Sequence, residues 1–173
     1  MLTLTKLRPS GRHYYKRELG GPQVEQAGPG YWVENPELQG IWIGRGAEAI
    51  GLEGPVDEVG FDRLFGSGAD PRDGKSLGRG WCPESETAVA GYALTFSPPK
   101  SVSVLWAVGD EAVSEQVGQA HVAAARQALE YLQDHAGFTR RGRGGLCQVD
   151  TDGYVAAAFL HRTSRAADPQ LHL

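Results

Sequence analysis

Residues 161–173 read HRTSRAADPQLHL, with His161 and His172 on either side of a polar stretch that contains one proline. Side chains alternate between the two faces of a strand, so His161 shares a face with Phe159 in the apolar run before it. The polar stretch predicts a turn, and the final LHL predicts the start of the next strand. If that strand pairs antiparallel with the first, His172 lies across from His161, close enough for both imidazoles to bind one divalent metal ion.

The spacing of the two histidines also fits a structural interpretation. A pair at this separation is more typical of surface or core residues than of metal ligands. A third ligand on the same strand face would fall at position 174, next after Leu173. Other parts of the sequence must therefore decide between a metal site and two structural histidines.

The segments before this stretch predict an α+β fold, an antiparallel β-sheet with helices packed on its face. Residues 2–7, 90–97 and 101–108 have the alternation and the β-branched or aromatic content of strands. Asp57 and Asp110 are predicted N-caps of helices over about 58–65 and 111–136, the second ending at Gly137. A short helix over 11–19 and a hairpin of 146–150 with 153–161, turning at Asp152-Gly153, complete the prediction.

Length and composition are those of one compact domain. The chain has 173 residues, 40% of them hydrophobic and 22% charged, and its 24 glycines and 10 prolines imply many turns. No apolar run approaches the roughly 18 residues that a membrane span needs, and no secretory signal is visible. Cys82 and Cys147 are too few for a disulfide framework. We expect a cytoplasmic protein with reduced thiols.

The net charge of −4 conceals clusters of basic residues. A polyanion responds to the local surface, so an acidic protein can still carry a basic groove, although charge runs are as often plain solvated faces. The segment TRRGRGG at 139–145 predicts a flexible cationic loop, and Lys100 follows a rigid double proline. The cations considered for contact with a nucleic-acid backbone are Arg12, Lys16, Arg17, Lys100, Arg140, Arg141, Arg143, Arg162 and Arg165.

Several segments, in their order along the chain, resemble MobF-type conjugative relaxases of the HUH endonuclease superfamily. They are the tyrosine pair at 14–15, IWIGRGAEAIGLEGPVDE at 41–58, GYALTFSPPKSVSVLW at 91–106, TRRGRGG at 139–145 and HRTSRAADPQLH at 161–172. The resemblance implies a palm-like, five-stranded antiparallel sheet with helices, which this chain would hold truncated on its C-terminal side. Residues 1–173 would form the N-terminal portion of a single relaxase domain, without its C-terminal remainder or any helicase segment.

The same resemblance implies an activity and its residues. The implied activity is site- and strand-specific nicking of single-stranded plasmid transfer-origin DNA, in concert with the conjugation machinery. Tyr14 matches the family's nucleophile, Tyr15 is its neighbour, and Tyr31 lies near a second tyrosine pair of some members. His161 and His172 match the first two of three metal-binding histidines, with the third at position 174. The implied cofactor is a divalent cation, Mg²⁺, Mn²⁺ or Zn²⁺.

Elementary chemistry fits these residue types. A tyrosine oxygen attacks a phosphodiester to give a 5′-phosphotyrosine, while a cation on the histidines offsets the developing charge. Without the resemblance, two adjacent tyrosines are more typical of an aromatic core. Cationic neighbours on both sides of Tyr14 and Tyr15 argue against such burial.

Position 93 departs from the family pattern. The family has an aspartate in G-[YF]-D-L-T-F-S, whereas this chain has Ala93, which can neither accept a proton nor orient an imidazole. Loss of such a supporting group commonly costs about 10- to 100-fold in metal affinity or activity. A DNA-binding module without catalysis therefore remains an alternative, unless another carboxylate such as Asp168 substitutes.

The segment ADPRDGKS at 69–76 fits a loose Walker A pattern. A phosphate-binding loop of that kind follows a buried strand and opens a helix, and the flanking residues predict neither. The segment is predicted to be a turn that does not bind nucleotide. Lys75→Ala is therefore expected to cause no loss of nucleotide affinity.

Overall fold

The computed structural model describes residues 1–8, 40–77, 88–164, 166 and 168–173. Within these ranges the strands are β1 Leu2–Leu7, β2 Ile41–Ile43, β3 Gly91–Phe96, β4 Phe138–Arg141, β5 Cys147–Asp150, β6 Ala156–Ala158, β7 His161–Thr163 and β8 Pro169–His172. The helices are α1 Arg45–Ala49, α2 Glu58–Phe61, α3 Lys100–Val108 and α4 Glu111–Ala136, and a π-helical turn, Asp62–Gly66, continues α2. The predicted α+β fold is confirmed.

Every strand pairing is antiparallel among the described residues. β1 pairs with β3 from Leu2↔Phe96 to Leu7↔Gly91, β2 with β6, β4 with β5, and β7 with β8. Phe96 and Leu173 exchange backbone hydrogen bonds of 2.8 and 3.0 Å, which join β3 to the end of β8. The strands therefore follow the order β1–β3–β8–β7, with His172 on an inner strand.

Helix starts follow the predicted caps. The Asp57 carboxylate accepts a hydrogen bond from the Gly60 N–H at 2.7 Å, and that of Asp110 accepts one from the Val113 N–H at 2.9 Å. Each carboxylate satisfies a backbone donor that has no partner within its helix. The long helix α4 ends at Gly137, as predicted.

The prediction of a strand over 101–108 is wrong, because these residues form most of α3. Serine and valine alternate there, a pattern that favours a strand on propensity alone. Pro99 precedes the first helical turn, where proline is well tolerated. The side chain of Ser103 is 1% exposed and its hydroxyl accepts the Leu171 N–H at 3.1 Å, so tertiary contacts decide the conformation.

The predicted hairpin of 146–150 with 153–161 is also wrong in its partners. β5 pairs with the preceding strand β4, through a turn that includes the glycines at 142, 144 and 145, all with positive φ. The predicted flexible loop at 139–145 is therefore partly strand. Gly153 has a φ of 135°, but its missing Cβ makes room for α1 rather than for a hairpin turn: a Cβ there would lie 2.7 Å from that of Arg45.

A hydrophobic core lies under β2 and β6. It contains Trp42, Ala47, Val56, Phe61 and Phe159, and the rings of Phe61 and Phe159 meet edge to face at 6.1 Å. Trp42 is thus the packing anchor in the segment 41–58. This core supports β6 just before the chain enters β7 and reaches His161.

None of the helices in the described ranges has the length and apolar character needed to cross a membrane.

Candidate functional site

The two histidines at the C-terminal end meet across neighbouring strands. His161 on β7 stands opposite His172 on β8, as the sequence predicts. The Nδ1 atom of His161 lies 3.1 Å from the Nε2 atom of His172, and the ring centres are 4.8 Å apart at 84°. Both side chains are half-buried and line a groove of about 1320 Å³ between the described residues.

A backbone carbonyl fixes the tautomer of His172. Its Nδ1 lies 2.9 Å from the Gln170 carbonyl oxygen, and because a carbonyl can only accept, this nitrogen carries the proton. In the neutral ring, the Nε2 that faces His161 then carries a lone pair, which can accept a hydrogen bond from His161 Nδ1 or bind a cation. Metal-binding histidines commonly use such an outer hydrogen bond to orient the ring.

The separation of the two nitrogens fits a shared cation. Two ligands that each lie about 2.0–2.1 Å from one ion, at 90–109°, are about 2.8–3.4 Å apart. The observed 3.1 Å falls inside this interval. The described residues contain no group of three or more His, Cys, Asp or Glu side chains able to hold a metal, so metal binding by the pair remains a prediction.

The predicted nucleophile region cannot be placed beside this pair. Tyr14, Tyr15 and Tyr31 lie outside the described residues, as do the cations Arg12, Lys16, Arg17 and Arg165 and the predicted helix at 11–19. These assignments remain predictions.

The basic segment 139–145 forms an exposed two-stranded ribbon. Arg140 and Arg141 are neighbours on β4 and so point to opposite faces, and Arg143 lies in the turn. All three side chains are exposed, and none forms an ion pair within the described part of the chain. Leu146, just after the turn, is 91% exposed. The ribbon presents positive charge on both of its faces.

The remaining two predicted DNA-binding cations have protein partners. Arg162 follows His161 on β7 and so points to the other face, where its guanidinium carbon lies 5.8 Å from the centre of the Trp106 ring. The Lys100 ammonium contacts the Asp168 carboxylate and lies 2.7 Å from the Pro169 carbonyl oxygen. Phosphate contact by either cation remains a prediction.

Ala93 lies on β3 opposite Thr5 and lines the same groove as the two histidines. Asp168, considered above as a substitute carboxylate, is held by Lys100 and by the Ser164 hydroxyl. These two partners lower the pKa of Asp168 below its ordinary value. At His172, the observed outer partner is the Gln170 carbonyl.

His121 on α4 is half-buried. Burial lowers the pKa of its imidazole, and the nearby His172 and N-terminal ammonium lower it further. A neutral ring is thereby favoured at this position.

The segment 69–76 forms a turn, in agreement with its prediction. Ala69 and Ser76 form a β-bridge, and Asp70 receives hydrogen bonds from the backbone and side chain of Arg72. Lys75 pairs with Asp73 at 2.6 Å. The residues before it form a π-helical turn rather than a strand, so the arrangement of a phosphate-binding loop is lacking on that side.

Sequence reasoning missed the buried polar residues that hold this end of the fold together. Ser103 binds the backbone of β8, and Gln133 on α4 accepts hydrogen bonds from the Arg45 and Tyr154 N–H groups at 2.8 and 3.0 Å. Serine and glutamine carry no sequence signal for such a role, because their partners are distant along the chain.

The chain matches a family of known proteins. Residues 8–173 match the family described as TrwC relaxase. Over 131 residues the chain is 40% identical to the multifunctional conjugation protein TraI of Escherichia coli K12, a match that covers 76% of this chain and 7% of TraI.

Solved structures of TrwC share the fold. TrwC complexed with a 27-mer DNA comprising the recognition hairpin and the cleavage site is 27% identical, with a TM-score of 0.72, and the match covers 99% of this chain and 53% of that one. A copper-bound TrwC in complex with oriT DNA is 28% identical with a TM-score of 0.70, covering 99% of this chain and 55% of the other. The chain thus spans about half the length of these TrwC structures, and it belongs to the TrwC relaxase family, the MobF-type relaxases.

Proposed function

We propose that this chain is the N-terminal part of a relaxase domain that nicks one strand of plasmid transfer-origin DNA by tyrosine transesterification. Membership of the TrwC relaxase family and the match to DNA-bound TrwC structures support the proposal. The single observation that carries it is the 3.1 Å approach of His161 Nδ1 to His172 Nε2 across two strands. The conjugation machinery is the proposed partner, since the relative TraI is named a conjugation protein.

The histidine pair would hold a divalent cation. His172 offers Nε2 because its Nδ1–H donates a hydrogen bond to the Gln170 carbonyl oxygen, and His161 offers Nδ1 from the facing strand. When bound, a divalent cation supplies Lewis acidity that polarises a phosphate oxygen and offsets charge developing at phosphorus. The candidate cations are Mg²⁺, Mn²⁺, Zn²⁺ and, by analogy with the copper-bound TrwC, Cu²⁺.

Tyr14 would supply the nucleophile. Its phenolic oxygen would bond to the scissile phosphorus, the bond from phosphorus to the 3′ oxygen would break, and the proton lost by the phenol would balance the one gained by the 3′ hydroxyl. The 5′-phosphotyrosine keeps a phosphodiester linkage, so that rejoining to a 3′ hydroxyl is nearly balanced in energy. Tyr15 and Tyr31 are the other proposed catalytic tyrosines.

The β4–β5 ribbon would bind the DNA outside the cleavage site. A two-stranded ribbon fits the major groove of a duplex, and exposed arginines bind phosphates or guanine edges. Arg140, Arg141 and Arg143 are exposed around this ribbon, which makes it the strongest described candidate for duplex contact. The basic side chains at positions 12, 16, 17 and 165 would contact the phosphate backbone of the single strand.

A DNA-binding module without catalysis is the second candidate. Ala93 favours it, because the family's aspartate at this position is replaced by a side chain that cannot support a histidine or a tyrosine. Such a module would retain the ribbon and its arginines. It would bind transfer-origin DNA and leave the strand intact.

One experiment separates the two candidates. The protein is incubated with Mg²⁺ or Mn²⁺ and an oligonucleotide of the cognate transfer origin, and covalent adducts are resolved on a denaturing gel. Nicking predicts a protein–DNA adduct that Tyr14→Phe abolishes while non-covalent binding in a native gel is unchanged. A complex in the native gel with no adduct from the wild type would instead establish the binding module, and Ala93→Asp would then test whether the missing carboxylate is the reason.

A further inference from the structure

We infer that Lys100, paired with Asp168, is a positioning residue that fixes the strand carrying His172, and that its ammonium is not a phosphate ligand. The inference rests on the metal site proposed above. It assigns a role to the segment FSPPKSVS at 96–103, in which the sequence alone offers Lys100 as a candidate for contact with a nucleic-acid backbone.

This segment holds one edge of β8 along its whole length. Phe96 exchanges backbone hydrogen bonds with Leu173, the Ser103 hydroxyl accepts the Leu171 N–H at 3.1 Å, and Lys100 Nζ donates to the Pro169 carbonyl oxygen at 2.7 Å. The three contacts fall on alternate residues, Pro169 and Leu171 of β8 and Leu173 just after it, which present their backbone groups to the same edge. Backbone groups at the end of β3 and side chains of α3 thus form hydrogen bonds to the same edge of β8.

The opposite edge of β8 belongs to β7. Here His172 stands directly across from His161, and Pro169 across from Thr163. The strand with one histidine is therefore fixed between α3 on one side and the strand with the other histidine on the other. A shift of β8 along its axis would separate the two ring nitrogens.

The turn between the two histidine strands is closed by Asp168. Its carboxylate receives the Ser164 hydroxyl and the Lys100 ammonium, and its carbonyl oxygen accepts the Ser164 N–H at 3.0 Å. The Ser164 hydroxyl oxygen also accepts the Ala166 N–H at 3.0 Å. Among the described residues of this network, Lys100 is the one whose side chain comes from another element, so it ties the turn to α3.

The lysine is already committed to these partners. Its ammonium contacts both a carboxylate and a carbonyl oxygen, and the carboxylate stays ionised well below neutral pH because these contacts lower the pKa of Asp168. A phosphate would have to compete with a fixed negative charge in contact with the same nitrogen. The location of the pair therefore favours a structural role toward His172 over a role toward DNA.

The expected effect is on metal affinity and much less on folding. Lys100 and Asp168 are 53% and 47% exposed, and exposed ion pairs contribute little to stability. Two ligands of one cation, however, must be held within about 0.5 Å of their working positions. Outer residues of metal sites typically change affinity about 10- to 100-fold, and we expect the lower end because Lys100 acts through the strand.

Cu²⁺ alone is the probe, because it binds nitrogen ligands most tightly among the divalent ions of its row. Its affinity is measured by competition with a chelator, and electron paramagnetic resonance reports the nitrogens bound to it. A His161→Ala/His172→Ala variant gives the background from other sites. Lys100→Met and Asp168→Asn are each expected to weaken the site-specific affinity about tenfold, with no additional loss when they are combined.

Two further variants are controls. Lys100→Arg keeps a cation beside Asp168 and is expected to restore most of the affinity. Lys75→Met removes an ion pair of similar geometry, with Asp73 in the turn at 69–76, and is expected to leave the Cu²⁺ affinity unchanged. Circular dichroism and thermal unfolding check that all the variants are folded.

The salt dependence of DNA binding provides the decisive contrast. If Lys100 positions β8, Lys100→Met leaves the slope of log affinity against log salt unchanged. If Lys100 binds a phosphate, the slope falls by about one and the Cu²⁺ affinity stays at the wild-type value, a result that overturns the inference. A wild type that binds no more Cu²⁺ than the double histidine variant overturns the metal site itself, and the inference with it.

Discussion

Replacing Gln133 by leucine should destabilise the fold far more than replacing an exposed glutamine does. The side chain is 4% exposed, and its Oε1 atom accepts hydrogen bonds from the Arg45 N–H at 2.8 Å and the Tyr154 N–H at 3.0 Å. Leucine has a similar volume but leaves both backbone donors without this acceptor. At about 1–3 kcal/mol for each of the two donors deprived of a partner, the expected loss is about 2–6 kcal/mol in the free energy of unfolding.

The contacts of Gln133 explain why the effect matters for the site. They join α4 to the start of α1 and to the segment that leads into β6 and then to His161. Urea unfolding followed by circular dichroism measures the change, with an unchanged slope expected and a lower midpoint. The slope must stay constant for the midpoint to report stability alone.

Gln119 offers a matched control on the same helix. Its amide donates to Glu115 at 3.0 Å on the exposed side of α4. Gln119→Leu is expected to change the free energy of unfolding by no more than about 0.5 kcal/mol. Equal effects of the two substitutions would refute the argument, because they would show that the buried hydrogen bonds of Gln133 contribute nothing beyond helix propensity.

Three other predictions follow from the same structure. Gly153→Ala should lower the free energy of unfolding by about 2–4 kcal/mol, because the added Cβ would lie 2.7 Å from Arg45 and Gln133 atoms and φ is 135°. Gly142→Ala, with φ at 81° and no atom within 4 Å of the added Cβ, should lower it by about 1 kcal/mol. Similar urea midpoints for the two variants would contradict this. Hydrogen bonds from Arg72 hold the pKa of Asp70 well below its ordinary value, so its stabilisation is complete above the unfolded pKa of about 4 and declines as the pH falls further. Asp70→Asn should therefore show a smaller drop in urea midpoint between pH 5 and pH 3 than the wild type, and parallel curves would exclude this role. Replacing Arg140, Arg141 and Arg143 of the ribbon together by glutamine should weaken DNA binding and lower the slope of log affinity against log salt by up to about three. The Cu²⁺ affinity should not change. An unchanged slope would show that the ribbon is not part of the DNA interface.

Local signals in the sequence determined the elements that depend only on neighbouring residues. Asp57 and Asp110 each reach a backbone N–H three residues ahead, so their capping roles depend on short-range geometry and were predicted correctly. The alternation in β1 and β3 needs no distant partner to be recognised. The meeting of His161 with His172 also followed from strand alternation and a short turn.

Contacts between distant residues decided the rest. The segment 101–108 has the composition of a strand, yet it is helical, and its buried Ser103 binds a backbone group 68 residues away. The pairing of β5 with β4 instead of the following segment, and the use of Gly153 for close packing against α1, likewise depend on neighbours remote in sequence. Propensity and periodicity describe a residue and its nearest neighbours only. Which hydroxyl, amide or ammonium finds a distant backbone group depends on how the elements pack, and that packing placed Lys100 beside the turn between the two histidines.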